Sequence, residues 1–356
     1  MTNSQNCSNN SSLRLILQLD KIVDDTKQIA ELLQLPQEVT IVSHRNPDGD
    51  AIGSSIAMAA FLRKQNHTVH VILPSEYPDV FGFLRGIDDI IIFDLEKEKS
   101  KECIDKSSIV ICLDFNSLER IDKLGQLISA SNTKILMIDH HIEPEPFYEL
   151  AISRADVSST SELVYNYIQD LDKTNLIDLE IGEAIMTGIL TDTGSFRHNT
   201  NKGTYFVAGE LKAKGVDDYY LQDKIFNSMT EKQLRLLGHC LANRMEIISE
   251  YRTGIIHLTL NDYEEFDIKR GDTEGIVNYI LMLKKMDVAI FVRQQPKIVK
   301  LSLRSKGDIS VQALARDHFN GGGHVNASGG HLYGSIGKVV RILKEVLPDY
   351  VPKYKS

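Results

Sequence analysis

The feature that most constrains this chain is Asp139-His140-His141. It closes an apolar run, Lys134-Ile135-Leu136-Met137-Ile138, and leads into a loop that holds Pro144 and Pro146. A short apolar run bounded in this way reads as a buried strand. An acid and two imidazoles at the end of such a strand are expensive to bury. The carboxyl end of a strand in an open α/β sheet is also where ligands bind.

Other stretches repeat the arrangement. Val39 to Val42 is a β-branched strand that ends in the loop Ser43-His44-Arg45-Asn46-Pro47-Asp48-Gly49-Asp50. Ser108 to Leu113 is a strand that ends at Asp114, and Val69 to Leu73 and Asp89 to Phe93 read as two more. Helical spacing over Leu13–Leu35, Ala51–Gln65 and Ile181–Leu190 separates or follows them. This alternation predicts an α/β fold with a mostly parallel N-terminal sheet and helices on both faces.

Two capping boxes, Ser159-Thr160-Ser161-Glu162 and Thr230-Glu231-Lys232-Gln233, open helices to Leu171 and to about Ile247. Thr204–Lys214 and Asp218–Phe226 are also helical in pattern. Beyond Tyr251 the expected elements are a strand at Gly254–Leu260, a helix at Thr273–Lys285, a strand pair at Val288–Arg293 and Ile298–Arg304, and a helix at Ile309–Phe319. That helix stops at Asn320-Gly321-Gly322-Gly323-His324-Val325-Asn326, and a last helix covers Ile336–Val346. The expected organisation is a disordered lead-in (1–12), a catalytic domain (13–200), a helical linker (201–246), a smaller C-terminal α/β domain (247–348) facing the first across a cleft, and a tail (349–356).

Composition narrows the function. With 42% apolar and 25% charged residues the chain is ordinary soluble material, and no apolar run approaches the roughly 20 residues that span a bilayer. The first twelve residues lack the basic start of a signal peptide. Cys7, Cys103, Cys112 and Cys240 show no CxxC spacing, so reduced thiols in a cytoplasmic protein are expected. A net charge of −9 opposes a long duplex-DNA surface. From Pro296 to Glu345, eight Lys/Arg stand against three acids, and that segment suits an anionic ligand or a plain solvated face.

The acids and imidazoles form the clusters His44/Asp48/Asp50, Asp114, Asp139/His140/His141 and Asp192. In a parallel sheet the first three converge at one edge. Mixed Asp and His suit Mn²⁺, Mg²⁺, Zn²⁺ or Fe²⁺; the carboxylate majority favours Mn²⁺ or Mg²⁺, and the imidazoles tip the choice toward Mn²⁺. The carboxylates are too many for one ion, whereas two ions about 3.5–4 Å apart would use them all. Each residue also has a structural reading. Pro47-Asp48-Gly49 is good turn chemistry, Asp114 could cap a helix, and Asp192 could end one. Taken singly these readings win at Asp114 and Asp192; taken together they need four coincidences.

The set Ser43-His44-x-x-Pro47-Asp48-Gly49-Asp50-Ala51-x-Gly53-Ser54, Asp114, Asp139-His140-His141 and Thr191-Asp192-Thr193-Gly194 resembles the four motifs of the DHH phosphoesterase family. The run Gly321-Gly322-Gly323-His324 resembles that family's DHH-associated C-terminal domain, and the resemblance spans about residues 20–345. Length, domain order and the Arg304/His324 pattern are most similar to the bifunctional oligoribonuclease and pAp phosphatase (nano-RNase) group. The resemblance implies that His44, Asp48 and Asp114 bind one Mn²⁺ and that Asp50, Asp114, His140 and Asp192 bind the other. It gives His141 the scissile phosphate or the leaving oxygen. It makes Asp139 the carboxylate that orients a ligand imidazole.

In the C-terminal domain, consecutive glycines would expose backbone N–H groups to a phosphate, unless they form only a tight loop. Gly322, Gly323, His324 and Asn326 would line that contact, and Arg304 would fork onto a phosphate or stack on a base. The expected activity is Mn²⁺-dependent hydrolysis of very short RNA and of pAp. The alternatives are cyclic di-AMP or its linear product, pyrophosphate, long DNA, or a nucleotide sensor without turnover. A dehydrogenase lacks its support, since no G-x-G-x-x-G follows the first strand. A homodimer is left open, and no membrane partner is expected.

Overall fold

Helices between short β-branched runs return the chain to the same end of a sheet, so that successive strands pair in parallel. The computed structural model describes residues 23–269 and 271–354 and divides into two units, Met1–Ser228 and Met229–Ser356. The expected lead-in, the start of the Leu13–Leu35 helix, and Cys7 lie outside the described residues.

In the first unit, β1 (Glu38–Val42), β2 (Thr68–Leu73), β3 (Ile90–Ile92), β4 (Ile109–Leu113), β5 (Lys134–Asp139) and β6 (Leu150–Ser153) form one parallel sheet in the order β3-β2-β1-β4-β5-β6. The residues of β4 are buried throughout because both faces are covered. On one face Ile41, Ile109, Ile111 and Ile138 meet α1 (residues 23–32), α2 (Gly49–Arg63), α5 (Thr160–Asp170) and α6 (Leu179–Asp192). On the other, Val42, Val110, Cys112 and Met137 meet α3 (Lys97–Lys106) and α4 (Lys123–Ser129). The strand order reverses between β1 and β4, which makes their carboxyl ends the switch point where such sheets bind ligands.

Helices α2 and α6 pack at backbone distance. A Cβ on Gly53 would lie 2.3 Å from the Ala184 carbonyl oxygen, and one on Gly188 would lie 2.0 Å from Ser161 Oγ and 2.5 Å from Asp50 Oδ1. The glycines thereby draw the start of α2, the start of α5 and the end of α6 together.

Three expectations are corrected in this unit and the next. Ser159 caps α5, but Glu162 reaches back to Ser158 N and Oγ instead of closing a box on Ser159. Thr204 also donates to that carboxylate, so its packing outweighs the local motif. The box at Thr230–Gln233 does form, but its helix α9 (Glu231–Asn243) stops early. Met245–Ile248 is strand β7, because it finds a ladder partner in β8 (Thr253–Leu258). The expected helix Thr273–Lys285 shrinks to α11 (Ile276–Ile280), which starts after Gly275 at φ +73°.

The helices expected as a linker divide between the units. α7 (Lys202–Ala213) and α8 (Asp218–Phe226) bury Val207, Leu211 and Leu221 in the first unit's core. α9 buries Leu236, Leu237 and Cys240 in the second.

The second unit is a sheet in the order β11 (Gly322–His324), β12 (Ala327–Leu332), β10 (Val299–Ser305), β9 (Val288–Gln294), β8, β7, with β9 and β10 at its centre. β8 and β9 are parallel and the other pairs antiparallel. α12 (Val311–His318) and α13 (Ile336–Tyr350) pack on one face, against Ile290, Leu301 and Leu303. On the opposite face α9 and α11 cover Ala289 and Phe291 of β9. The short helix α10 (Leu260–Glu265) follows β8.

Candidate metal centre

His44 and Asp48 follow β1, Asp114 follows β4, and Asp139, His140 and His141 end β5. The sheet order therefore sets them side by side. Asp192 joins them from the last residue of α6, and Asp50 from the first turn of α2. Asp48 is the N-cap of α2; its Oδ1 accepts from Asp50 N at 3.0 Å and Ala51 N at 3.1 Å. Asp48 therefore caps a helix, not a turn, and stands in the cluster at the same time.

Asp114 sits at φ +65°, in a region that an aspartate enters at less cost than most residues. Its N–H still joins the ladder by bonding Ile138 O. Its Oδ2 lies 3.4 Å from His44 Nε2 and its Oδ1 3.5 Å from His140 Nε2. His44 Nε2 is also 3.8 Å from Asp48 Oδ1, and His140 Nε2 is 3.1 Å from Asp192 Oδ2 and 4.0 Å from Asp50 Oδ2. Two donor sets result, His44/Asp48/Asp114 and Asp50/His140/Asp192, and each could hold an ion.

The charge state of the cluster calls for cations. Burial, then the charges of Asp50, Asp48 and Asp192, push the Asp114 carboxyl well above its usual range. Burial also raises Asp50, against the opposing His140 charge, and lifts Asp192 to about 7. Burial alone would depress the His140 imidazolium; the bond to Asp192 and the surrounding carboxylates outweigh it and raise it to about 10. His44 Nδ1 donates to Arg45 O at 3.0 Å, which leaves Nε2 as a lone pair. That buried Nε2 makes no hydrogen bond and faces two carboxylates. In the neutral imidazole that nitrogen aims a lone pair at the two carboxylates, an arrangement that fits a divalent cation between them.

Asp50 is held by the start of α5. Thr160 N donates to its Oδ2 at 2.6 Å and Ser161 N to its Oδ1 at 2.8 Å, while Thr160 Oγ1 donates to Asp114 Oδ1 at 3.0 Å. Free N–H groups at a helix start favour an anion there. Thr160 and Ser161 were missed as site residues; their only sequence signal was the cap of a helix.

His141 has a different task from His140. Its Nδ1 meets Asp139 Oδ1 at 2.7 Å and its Nε2 meets Arg120 Nη1 at 2.9 Å. A guanidinium only donates, so Nε2 accepts and Nδ1 carries the proton. Asp114, His140 and His141 also lie close enough to share an ion, but the proton on Nδ1 leaves that set one donor short. Asp139 therefore orients the His141 imidazole. Arg120, on the turn Leu118–Ile121, carried no sequence signal. Arg197, His198 and Asn199 are exposed.

In the second unit the glycine run is not an open loop. Gly322–His324 is strand β11, paired with β12 (Ala327–Leu332). Gly323 has φ +138°, and a Cβ on Gly321 would lie 2.0 Å from Gly329 O, so the hairpin itself demands these glycines. Asn326 spends its amide on Ser305 Oγ and Gly307 O, each at 2.9 Å. Arg304 is half-buried on β10 and, among the described residues, bonds only the Leu303 carbonyl; burial lowers its pKa.

Residues 38–189 match the DHH family, N-terminal domain, and residues 252–348 match the DHHA1 domain. A solved structure of an exopolyphosphatase-related protein from Bacteroides fragilis is 39% identical, with a TM-score of 0.90 over 92% of this chain and 96% of that one. The chain belongs to the DHH family. As a DHH-family protein it is a metal-dependent phosphoesterase. It is 27% identical to the bifunctional oligoribonuclease and PAP phosphatase NrnA of Bacillus subtilis, over 86% of this chain and 93% of that protein. It is 26% identical to the cyclic-di-AMP phosphodiesterase GdpP of Geobacillus thermodenitrificans, where it covers 90% of its own length but 49% of the relative's. Among the described residues no helix is long and apolar enough to cross a membrane.

Proposed function

We propose that this chain uses two Mn²⁺ ions to hydrolyse short oligoribonucleotides to 5′-mononucleotides and to remove the 3′-phosphate of pAp. The observation that carries the two-ion reading is Asp114, which turns one oxygen to each donor set. His44, Asp48 and Asp114 would hold one ion, and Asp50, Asp114, His140 and Asp192 the other. Two ions bound there would supply a nucleophilic water at neutral pH and neutralise charge on the phosphoryl oxygens.

The chain's own residues do the rest. The start of α5 fixes Asp50, and Thr160 fixes Asp114, so the donors are set before substrate arrives. Asp139 holds His141 in one tautomer, with Nε2 free of its own proton and pointed at Arg120. A phosphate oxygen approaching that pair meets a guanidinium donor, and His141 Nε2, which would first take a proton from the attacking water, would pass it to the leaving oxygen. On the second unit, Arg304 and His324 would hold the nucleotide. The 27% identity to an oligoribonuclease and PAP phosphatase, over 93% of that protein, supports this substrate class. The described cysteines, Cys103, Cys112 and Cys240, are buried and unpaired, which supports a reduced, cytoplasmic setting.

The test is turnover of pApA, pAp, cyclic di-AMP and pyrophosphate with Mn²⁺, beside a His140→Ala control. AMP release from pApA and pAp, lost in the control, is the expected result. Turnover of cyclic di-AMP alone would move the substrate to the second relative's class. No turnover of any of them would sink the reading.

A further inference from the structure

The face of the second sheet opposite α12 and α13 is covered over only half its width. α9 lies on β7 and β8 and α11 on β9 and the near side of β10, and among the described residues no helix of this unit packs on the β12 and β11 edge of that face. Residues directly opposite on paired strands share a face, so the register orders the bare half into rows. Arg304, Ala327 and His324 form one row, and Ser302, Gly329 and Gly322 the next. Lys300 and His331 form the third, with Arg293 of β9 beside Lys300.

Beyond Ser302, the middle row carries no side-chain bulk: nothing lies within 4 Å of where a Gly322 Cβ would be, and only Leu301 O, at 3.6 Å, is near Gly329. Cations flank it at both ends. Among the described residues none of Arg293, Lys300 and Arg304 pairs with a carboxylate; Arg293 reaches Thr273 Oγ1 and Ser302 Oγ instead. The third row borders a cavity of about 400 Å³ lined by Lys300, Asn320, Gly321, Gly329, His331 and Tyr333. The Tyr333 ring is exposed and meets His331 edge-on at 6.0 Å.

We propose that this far end is a second nucleotide-binding position, in which Lys300 and His331 take a phosphate and Tyr333 a base. It rests on the reading that the substrate is a short oligoribonucleotide. Arg304 and Lys300 are four residues apart on one strand, about 13 Å. A mononucleotide or pAp held at Arg304 and His324 leaves the far end empty, whereas a longer strand lies across the glycine floor and fills both. The platform thus makes affinity rise with length over the first few nucleotides. Stacking on one aromatic ring and one phosphate contact is sequence-tolerant recognition.

The experiment measures kcat/KM for pAp, a dinucleotide and a tetranucleotide RNA with wild type, Lys300→Ala, Lys300→Glu and Tyr333→Ala. In parallel, the anisotropy of a labelled tetranucleotide is titrated in Ca²⁺ at several salt concentrations. The tetranucleotide-to-dinucleotide ratio should fall about tenfold in Lys300→Ala, the scale of one charge-assisted contact, and further in Lys300→Glu. The salt slope of tetranucleotide binding should drop by about 0.7, the value for one lost phosphate contact on a single strand. An unchanged ratio, or an equal loss for every length, overturns the second position. Failure of wild type on all three substrates overturns the oligoribonuclease reading instead, and the anisotropy titration still reads the platform.

Discussion

Asp114 is an aspartate in a left-handed backbone conformation, with one oxygen for each donor set. Asparagine tolerates that conformation equally well, so Asp114→Asn keeps the fold and removes the shared charge. Calorimetric titration with Mn²⁺ should then show both sites weakened by more than about 100-fold, whereas His44→Ala should leave one. Asp139→Asn should free His141 to take the other tautomer. The expected loss is about a hundredfold to ten-thousandfold in kcat with little change in KM, read from steady-state kinetics and a shifted pH profile. At this scale the acids and imidazoles were legible because each closes an apolar run, where a polar group needs a reason. Arg120 and Thr160 were not, since a turn arginine and a helix-start threonine look the same with or without a partner across the sheet.

Among the elements, the close pair α2 and α6 sets the width of the centre. Gly188→Ala should push Ser161 and Asp50 off α6, costing about 1–3 kcal/mol and lowering Mn²⁺ affinity, as thermal melts with and without the ion would show. In the second unit Asp262 ties the end of α9 to the start of α10. Its Oδ1 accepts from Arg244 Nη2 at 2.7 Å and His239 Nε2 at 2.9 Å, and its Oδ2 from Thr259 N at 2.8 Å. Burial alone would raise its pKa; the bonds from Arg244, Thr259 and His239 outweigh it and hold it at about 2. A depressed carboxyl stabilises the fold above its unfolded pKa and loses that contribution as pH falls through about 2. Melting temperature should therefore drop between about pH 4 and pH 2, and Asp262→Asn should flatten that drop while costing about 3–5 kcal/mol at neutral pH. The strands of the first sheet were legible because burial on both faces makes them continuous apolar runs. The hairpin at the glycine run was not legible, because conformational freedom is a property of the residue, while the hairpin that uses it depends on Gly329 and Ala327 downstream.

The whole molecule carries separate cores in its two units. Scanning calorimetry should resolve two transitions. Mn²⁺ at 100 times its dissociation constant should raise the first unit's by about 2.7 kcal/mol and leave the other in place. The two-domain α/β organisation was legible from the alternation of strands and helices. The assignment of α7, α8 and α9 was not, because it depends on which core their apolar faces meet. The same architecture has a kinetic side. The donors run from His44 to Asp192, and the bond that seats Asp50 spans 110 residues. Contacts of such separation form only after the intervening chain has closed, late in folding. The ions therefore cannot template this fold. A chain leaving the ribosome passes through its whole first sheet before it owns a place for metal, and binding certifies a finished domain instead of starting one.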